Sequence, residues 1–349
     1  MEKIDIYSMN LEELSDFLVS IGEAKFRAKQ IFPELSKGVP ISEITTLSKT
    51  LRQKLSDLTL DTLPKVEEKL VSKIDGTVKY LFSLYDGACI ESVLMRYKHG
   101  NTLCISSQVG CRMGCKFCAS TIGGKERDLL PSELLGQIIT AERDSGERVS
   151  NIVMMGIGEP LDNFDNVIKF LELVNHPDGV CIGYRHISLS TSGVVPGIYK
   201  LSELELPITL SISLHAVTDE ARSAIMPINR KWGIDELLKA CVDYYKKTSR
   251  RISFEYTLIG GKNDSLDDAR ALAKLLTEKF KGTGAPLHVN LIRVNEVKET
   301  GFTRGSAEAA NAFAEELNKR GVVATVRRRL GADVNAACGQ LRRSHSVGG

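Results

Sequence analysis

The 349-residue sequence lacks most features that mark membrane, secreted or strongly charged proteins. No apolar run approaches the roughly 20 residues that a membrane-spanning helix needs. The N-terminal stretch MEKIDIYSMNLEELSDFL contains acidic residues throughout and no unbroken apolar core, which does not fit a signal peptide. A formal net charge of +2 does not by itself indicate a nucleic-acid partner. These absences predict an ordinary cytoplasmic globular protein, in which the eight cysteines stay reduced.

Three of the cysteines lie in one short stretch, Cys111-Arg112-Met113-Gly114-Cys115-Lys116-Phe117-Cys118. Thiolates are soft ligands that hold zinc or iron–sulfur clusters. Structural zinc sites normally use four ligands in two separated pairs, and no partnering pair follows this stretch. Three thiolates can instead bind three irons of a [4Fe–4S] cube and leave the fourth iron open. This arrangement, with an aromatic residue before the last cysteine, resembles the signature of radical S-adenosylmethionine (radical SAM) enzymes.

Residues 1–62 are predicted to be helical. Asn10 can cap a helix whose apolar residues Leu11, Leu14, Phe17 and Leu18 recur at helical spacing. A second helix is predicted from Glu23 to about Leu35, with Pro33 expected to bend or end it, and a third from Ile41 to about Leu58. We interpret residues 1–62 as a small basic-faced accessory domain. It could contact RNA or simply pack against the rest of the chain.

Residues 63–97 are predicted to form a β-hairpin extension, because apolar and polar residues alternate and Asp75-Gly76 and Asp86-Gly87 are typical hairpin turns. Glu91 falls in phase with Val93 and Met95. A carboxylate on an apolar face costs free energy unless it is paired or its pKa rises. This placement favours an acid–base role, although a lone Glu in a strand is more often solvent-facing.

Residues 98–333 show an α/β alternation that predicts parallel strands with outer helices, either a partial barrel or a doubly wound sheet. The predicted strands are Leu103–Ser106, Ile152–Met155, Ile187–Ser190, Ile208–Leu214, Ile252–Leu258, Leu287–Val294 and about Val322–Arg329. The predicted helices are Ser132–Glu142, Asn166–Val174, Ile234–Lys246, Leu266–Phe280 and Ala307–Arg320. In a barrel the reactive residues gather at the carboxyl ends of the strands, and the three-cysteine stretch follows the first strand.

Several other strand ends carry polar or small residues. They are Gly156, Gly158 and Glu159 after the second strand, Ser190 in the third, Ser213, Leu214 and His215 at the fourth, and Asn290 in the sixth. Each is weak evidence alone, but their recurrence at one edge predicts a ligand site. Cys104 lies in the strand before the three-cysteine stretch, and Cys338 lies in a C-terminal segment, residues 334–349. From pattern alone, a free cysteine is usually a small buried hydrophobe.

The chain resembles the RlmN family of radical SAM RNA methyltransferases along nearly its whole length. The resemblance rests on Ile90–Val93, Cys104–Cys111, Cys118–Gly124, Met155–Asn163, Leu189–Pro196, Ser213–Ala216, Met226–Asn229, His288–Ile292 and Ala336–Leu341. It implies a partial (β/α)6 barrel of the TIM type, with an N-terminal helical domain and the hairpin extension.

The resemblance also implies residue roles. Cys111, Cys115 and Cys118 would hold the [4Fe–4S] cluster, and Cys338 would be the cysteine that is itself methylated. Cys104 would form a transient disulfide with Cys338, which requires α-carbons within about 7 Å. Glu91 would be the proton acceptor. The residues expected to line the SAM site are Gly158, Glu159, Ser190, Ser213, Leu214, His215 and Asn290.

The implied reaction methylates carbon 2 of an adenosine in 23S ribosomal RNA, and of the adenosine beside the anticodon in transfer RNA, with two SAM molecules per turnover. An electron donor such as flavodoxin or ferredoxin would be a partner, and a monomer is the default. Arg327–Arg329 and Arg342-Arg343 are candidate phosphate contacts, although such runs are often solvated faces. Two alternatives remain: a Cfr-type carbon-8 methyltransferase, and a non-catalytic RNA-binding protein with a structural zinc.

Overall fold

The structure, a computed structural model, describes residues 3–294 and 301–334. The predictions for Cys338 and for Arg342-Arg343 concern residues outside this range. The described helices are α1 (Leu11–Ser20), α2 (Ala28–Ser36), α3 (Lys49–Leu58), α4 (Pro131–Ser145), α5 (Phe164–Asn175), α6 (Val195–Glu203), α7 (Asp219–Ile225), α8 (Ile234–Thr248), α9 (Leu266–Lys279) and α10 (Ala307–Lys319).

Strands alternate with these helices after residue 98, as the α/β pattern predicted. The described strands are β1 (Lys65–Val71), β2 (Val78–Ser83), β3 (Cys89–Tyr97), β4 (Gly100–Cys104), β5 (Gln108–Gly110), β6 (Lys125–Asp128), β7 (Val149–Met154), β8 (Ile187–Thr191), β9 (Thr209–Ser213), β10 (Ile252–Leu258), β11 (His288–Arg293) and β12 (Val323–Val326).

One ten-stranded sheet organises the molecule, in the order β1-β2-β3-β4-β7-β8-β9-β10-β11-β12. Strands β1 to β4 pair antiparallel, and every pair from β4 onward is parallel. Within the described residues β1 and β12 are the two edges, so the barrel is partial. Because the seven parallel strands point the same way, their carboxyl ends meet at one edge of the barrel.

The N-terminal helices form where the capping and apolar patterns predicted them. Asn10 accepts a hydrogen bond from the Glu13 backbone N–H, and the Glu13 carboxylate accepts one from the Asn10 N–H. Helix α2 continues to Ser36 rather than ending at Pro33, because Phe32 and Leu35 are both buried and their packing outweighs the missing N–H. The predicted third helix is two pieces, a short 3-10 turn at Ile41–Glu43 and α3.

The helical segment packs against the barrel through specific polar contacts. The Ser132 hydroxyl at the start of α4 donates to Asp5 at 2.6 Å, and the Asn10 amide donates to Glu172 on α5 at 2.7 Å. The apolar side chains of α1 and α2 belong to the same core cluster as those of the barrel strands. No helix in the described ranges is long and apolar enough to cross a membrane.

Candidate active site

The three-cysteine loop follows β5 at the carboxyl edge of the sheet. Its backbone is fixed at two points: the Cys111 N–H donates to the Gly124 carbonyl, and the Lys116 N–H donates to the Ile225 carbonyl at the end of α7, both at 2.9 Å. Asp162 holds the side of the loop through an ion pair with Arg112 and a second one with Lys125. The sequence therefore places Cys111, Cys115 and Cys118 on a loop tied to three separate parts of the barrel.

The electrostatics of the loop fit a group that binds thiolates. Burial raises the pKa of the Cys111 thiol to about 12, and burial with the neighbouring charges of Cys118 and Cys111 raises the pKa of Cys115. Thiolates this close disfavour each other's charge unless a cation binds them. Among the described residues, no three His, Cys, Asp or Glu side chains converge on a single metal ion. A cube does not require such convergence, because each thiolate binds a different iron.

A cavity of about 540 Å³ opens beside this loop. It is lined by all three loop cysteines and by Cys104, so the structure brings these four predicted residues together. Five of the seven predicted SAM-site residues also line it: Gly158, Glu159, Ser190, Ser213 and His215. The cavity thus lies at the carboxyl ends of β4, β7, β8 and β9, where a barrel places its reactive groups.

Gly158 and Glu159 shape the β7 edge of the cavity. Gly158 has φ +110°, and a Cβ on it would lie 2.7 Å from the Gln108 backbone N. Only glycine fits where these two backbone segments approach each other. The buried Glu159 carboxylate accepts hydrogen bonds from the N–H groups of Ser192 at 2.6 Å and Leu161 at 3.1 Å. Burial nevertheless raises its pKa. A carboxylate has about four acceptor positions, which leaves room for an ammonium group.

His215, just after β9, contacts the three-cysteine loop. Its Nδ1 accepts the Thr257 N–H at 3.0 Å, and its ring meets the Phe117 ring edge-on with centroids 5.0 Å apart. Burial, assisted by the charge of Arg222, lowers the pKa of His215 to about 3. The imidazole is therefore neutral at ordinary pH and acts here as a hydrogen-bond acceptor and packing surface.

Leu214 and Asn290 do not line the main cavity. The Leu214 side chain is fully buried, and its N–H donates to the Glu255 carbonyl at 3.1 Å. Asn290 lines a second, more open cavity that shares Met95, Met155, Arg327 and Arg328 with the first. Asn290 donates to the Glu255 carboxylate at 2.7 Å. Glu255 thus connects both predicted residues to the main cavity, which it lines itself.

Sequence reasoning missed Glu255. This glutamate is 3% exposed on β10, and burial raises its pKa, while Asn290 and Ser253 donate hydrogen bonds that oppose the shift. The sequence feature that could have identified Glu255 is the same as for Glu91: a carboxylate within an otherwise apolar strand. The sequence also missed α6, α7 and the short β5–β6 pair, which are the elements that carry or support the site.

Glu91 is 1% exposed, which excludes the solvent-facing alternative that the sequence left open. Its carboxylate forms an ion pair with Lys79 of β2, with Nζ and Oε2 3.1 Å apart. Val93 is paired with Lys79 on one side and Cys104 on the other, so these three residues lie at one level of the sheet. Val93 and Cys104 line the cavity, whereas Glu91 does not.

Five arginines surround the cavity on the side of β11 and β12. They are Arg293, Arg304, Arg327, Arg328 and Arg329. Arg328 and Arg329 are exposed, and Arg327 is half-buried. A concentration of guanidinium groups at a cavity mouth suits a polyanionic ligand.

Comparison with known proteins gives these features a family. Residues 105–276 match the radical SAM superfamily, and residues 4–60 match the ribosomal RNA large subunit methyltransferase N-terminal domain. A solved structure described as a radical SAM methyltransferase from Sphaerobacter thermophilus superimposes with a TM-score of 0.91 at 40% identity, covering 97% of this chain and 98% of that one.

Curated relatives match over their full length. A "Probable dual-specificity RNA methyltransferase RlmN" from Alkaliphilus oremlandii is 54% identical over 346 residues, covering 99% of both chains. A relative of the same name from Clostridium botulinum is 54% identical, covering 98% of this chain and 97% of its own. With the three-cysteine loop at the carboxyl edge of a partial barrel, these matches show that the chain belongs to the RlmN family of radical SAM RNA methyltransferases, which use a [4Fe–4S] cluster and SAM.

Proposed function

We propose that the protein methylates carbon 2 of an adenosine in 23S ribosomal RNA and of the adenosine 3′ of the anticodon in transfer RNA. The observation that carries the proposal is the shared cavity, which Cys104 lines together with Cys111, Cys115 and Cys118. A thiol that serves only as packing has no reason to face a ligand cavity beside cluster thiols. The relatives' names, which specify RNA and dual specificity, support the substrate class.

Carbon 2 of adenine lies between two ring nitrogens and is electron-poor, so it cannot attack the methyl group of SAM directly. In our proposal Cys338, outside the described residues, accepts the methyl group of a first SAM as a thiolate nucleophile. Cys111, Cys115 and Cys118 would hold the cluster, which would supply the electron that cleaves a second SAM to a 5′-deoxyadenosyl radical. A hydrogen atom would then pass from the S-methyl group of Cys338 to that radical, and the methylene radical left on Cys338 would add to carbon 2 of adenine.

Completion of the reaction needs a base and a resolving thiol. We assign the base to Glu91, whose carboxylate is positioned by an ion pair with Lys79, with Nζ and Oε2 3.1 Å apart. Because Glu91 does not line the cavity, proton removal from carbon 2 requires a relay or a local rearrangement.

The adduct radical also has to lose one electron, which the cluster would accept back. The Cys104 thiolate would then attack the Cys338 sulfur, and the bond from that sulfur to the methylene carbon would break. The released carbon would take up a proton to become the methyl group, which leaves a disulfide between Cys104 and Cys338. This disulfide must be reduced before the next turnover.

The RNA must present an unstacked base to the cavity. We propose that Arg327, Arg328 and Arg329 contact its phosphates at the cavity mouth. Changing all three to Ala should lower RNA affinity and reduce the slope of log K against log salt by up to about 0.7 for each lost phosphate contact on a single strand. An unchanged slope would remove these residues from the RNA interface. A matched change of Arg230, Lys231 and Lys247 to Ala controls for net charge.

We further propose that the protein works as a cytoplasmic monomer and receives electrons from a flavodoxin or ferredoxin. Size-exclusion chromatography with light scattering tests the oligomeric state. Replacement of dithionite by either reduced carrier tests the donor.

Product analysis tests the proposed function. Anaerobically reconstituted protein, SAM and a reductant are incubated with 23S ribosomal RNA or transfer RNA, and digested nucleosides are analysed by mass spectrometry against standards. We expect 2-methyladenosine from both RNAs and none from the Cys118→Ala variant. 8-Methyladenosine would instead establish the Cfr-type reaction. A protein that contains zinc but no iron or sulfide, and that leaves SAM intact, would be the RNA-binding alternative.

A further inference from the structure

Arg222, on α7, is a buried charge behind the wall of the cavity that the ends of β8 and β9 form. Its side chain is fully buried, yet no carboxylate in residues 3–294 or 301–334 lies within ion-pair distance of it. Uncompensated buried charges are expensive, so a chain that retains one needs a reason for it.

The guanidinium is bonded to neutral oxygens only. Nε donates to the Leu214 carbonyl at 3.0 Å, and Nη2 donates to the carbonyls of Ser192 at 2.7 Å and Ser213 at 2.8 Å. Nη1 donates to the Asn229 side-chain oxygen at 3.0 Å. Three of these four bonds hold the carboxyl ends of β8 and β9, which form one wall of the cavity. Carbonyl dipoles stabilise the charge but do not cancel it. The Asp219 carboxylate is linked to it only through Asn229, which donates to Asp219 at 2.9 Å.

The same residue is placed next to the cluster loop. One turn beyond Arg222, the Ile225 carbonyl accepts the N–H of Lys116, the residue that follows Cys115. Ile225 and Met226 pack in one cluster with Cys111 and Cys115. Burial lowers the pKa of Arg222 to about 10, and the Cys115 charge is the strongest of those that oppose the shift. At neutral pH the guanidinium remains a fixed positive charge.

We propose that Arg222 is a positioning residue that also sets the reduction potential of the cluster. A fixed positive charge beside Cys115 stabilises the reduced cluster, which carries one more negative charge than the oxidised cluster. The effect is large here because the Arg222 side chain is fully buried, so water screens its charge poorly. Through its hydrogen bonds to carbonyls, the same side chain holds the ends of β8 and β9, which carry the predicted SAM-site residues Ser190 and Ser213. The inference rests on family membership and not on which RNA atom is methylated.

The two parts of this proposal separate in two variants. Arg222→Lys keeps the charge but loses the planar fork that bonds three carbonyls. Arg222→Met keeps much of the volume and loses both charge and fork. Each full-length variant is reconstituted anaerobically, its iron and sulfide are assayed, and its cluster is titrated reductively with the EPR signal as readout, without RNA. SAM binding is measured on the same samples.

We expect Arg222→Met to make cluster reduction at least tenfold less favourable, a shift of about 59 mV to more negative potential for a one-electron couple. Arg222→Lys should stay within threefold of the wild type. Both variants should lose SAM affinity several-fold, because both lose the hydrogen bonds that hold the ends of β8 and β9 in place. Arg96→Met is the matched control, since Arg96 carries the same charge but is paired with Glu147; its potential should be unchanged.

A fully loaded Arg222→Met variant with the wild-type potential would overturn the proposal, as would a tenfold shift in Arg222→Lys. If Arg222→Met loads poorly, Arg222→Gln replaces it, because the amide can still donate to a carbonyl. Failure of all three variants to load iron would also contradict the proposal, since it would assign Arg222 to the framework alone.

Discussion

Two buried cations lie on opposite sides of this barrel and are stabilised in different ways. On the antiparallel side, Lys79 of β2 is 3.1 Å from the Glu91 carboxylate, and both side chains are 1% exposed. On the parallel side, Arg222 is equally buried, but its four hydrogen bonds go to three carbonyls and one amide oxygen. The first charge has a carboxylate in direct contact. The second has none within ion-pair distance in the described residues and interacts with Asp219 only at longer range.

The difference follows from the neighbours of each cation. Cys111 and Cys115 pack around the α7 end, and bound thiolates there supply negative charge that the protein framework does not provide. A carboxylate beside Arg222 would remove the field that favours cluster reduction. At the β2–β3 pair the neighbour is a carboxylate, and Glu91 on the adjacent strand balances the Lys79 ammonium directly. In our proposal this carboxylate is the base that accepts the carbon 2 proton.

The largest effect is expected when the Lys79–Glu91 ion pair is disrupted. Glu91→Leu removes the carboxylate that faces the Lys79 ammonium. The ammonium then stays buried without this ion pair, which should cost about 3–5 kcal/mol of unfolding free energy. Urea unfolding of the anaerobic, cluster-loaded protein measures this loss. The double variant Lys79→Met/Glu91→Leu should regain most of it, since a buried ion pair can be replaced by apolar residues at little cost.

Arg222→Leu provides the contrast in the same assay. It breaks no direct ion pair, so the lost hydrogen bonds dominate over the longer-range interaction with Asp219, and the expected cost is smaller, about 1–3 kcal/mol. An equal or larger loss than that of Glu91→Leu would show that Arg222 has a charged partner, and the comparison would fail.

A smaller effect concerns pH, at the histidine beside Arg222. The pKa of His215 is about 3 in the folded protein and near 6.5 when unfolded. Between these values the unfolded chain binds a proton that the folded chain does not, so stability is present above pH 6.5 and is lost as pH falls. From pH 7 to 5.5 the expected loss is about 1 kcal/mol. His215→Gln, whose side-chain oxygen can still accept the Thr257 N–H, should flatten this dependence; an unchanged slope would contradict the assignment.

The sequence predicted most elements of the fold because periodicity is a local property. The bounds of β10 agree with the prediction, and Asn10 caps α1 as expected. Helix α7 was missed because its seven residues offer few apolar repeats, and α6 was missed because Pro196 and Gly197 in its first turn resemble a loop. The predicted domain limits at residues 62, 97 and 333 remain predictions.

The site was predicted less completely, for a physical reason. The three loop cysteines and five of the predicted SAM-site residues line the cavity at the carboxyl ends of the strands. The order and direction of the strands place them there, so they could be predicted once the strands were recognised. Arg222 lies in Asp219-Glu220-Ala221-Arg222-Ser223, a polar stretch typical of an exposed turn. Its burial is decided by contacts with Ser192, Ser213 and Leu214, which come from other elements. Glu255 was missed because it shares its only signal with many solvent-facing glutamates.

The route of the methyl group is the central claim, and isotope labelling tests it most directly. The purified enzyme is supplied with SAM whose transferred methyl carries three deuterium atoms, and the methylated adenosine is analysed by mass spectrometry. If the radical removes one deuterium from the methyl group on Cys338 before transfer, the product methyl carries two deuterium atoms. A product methyl with all three would mean direct transfer from SAM, and would contradict the role of Cys338 and of the radical.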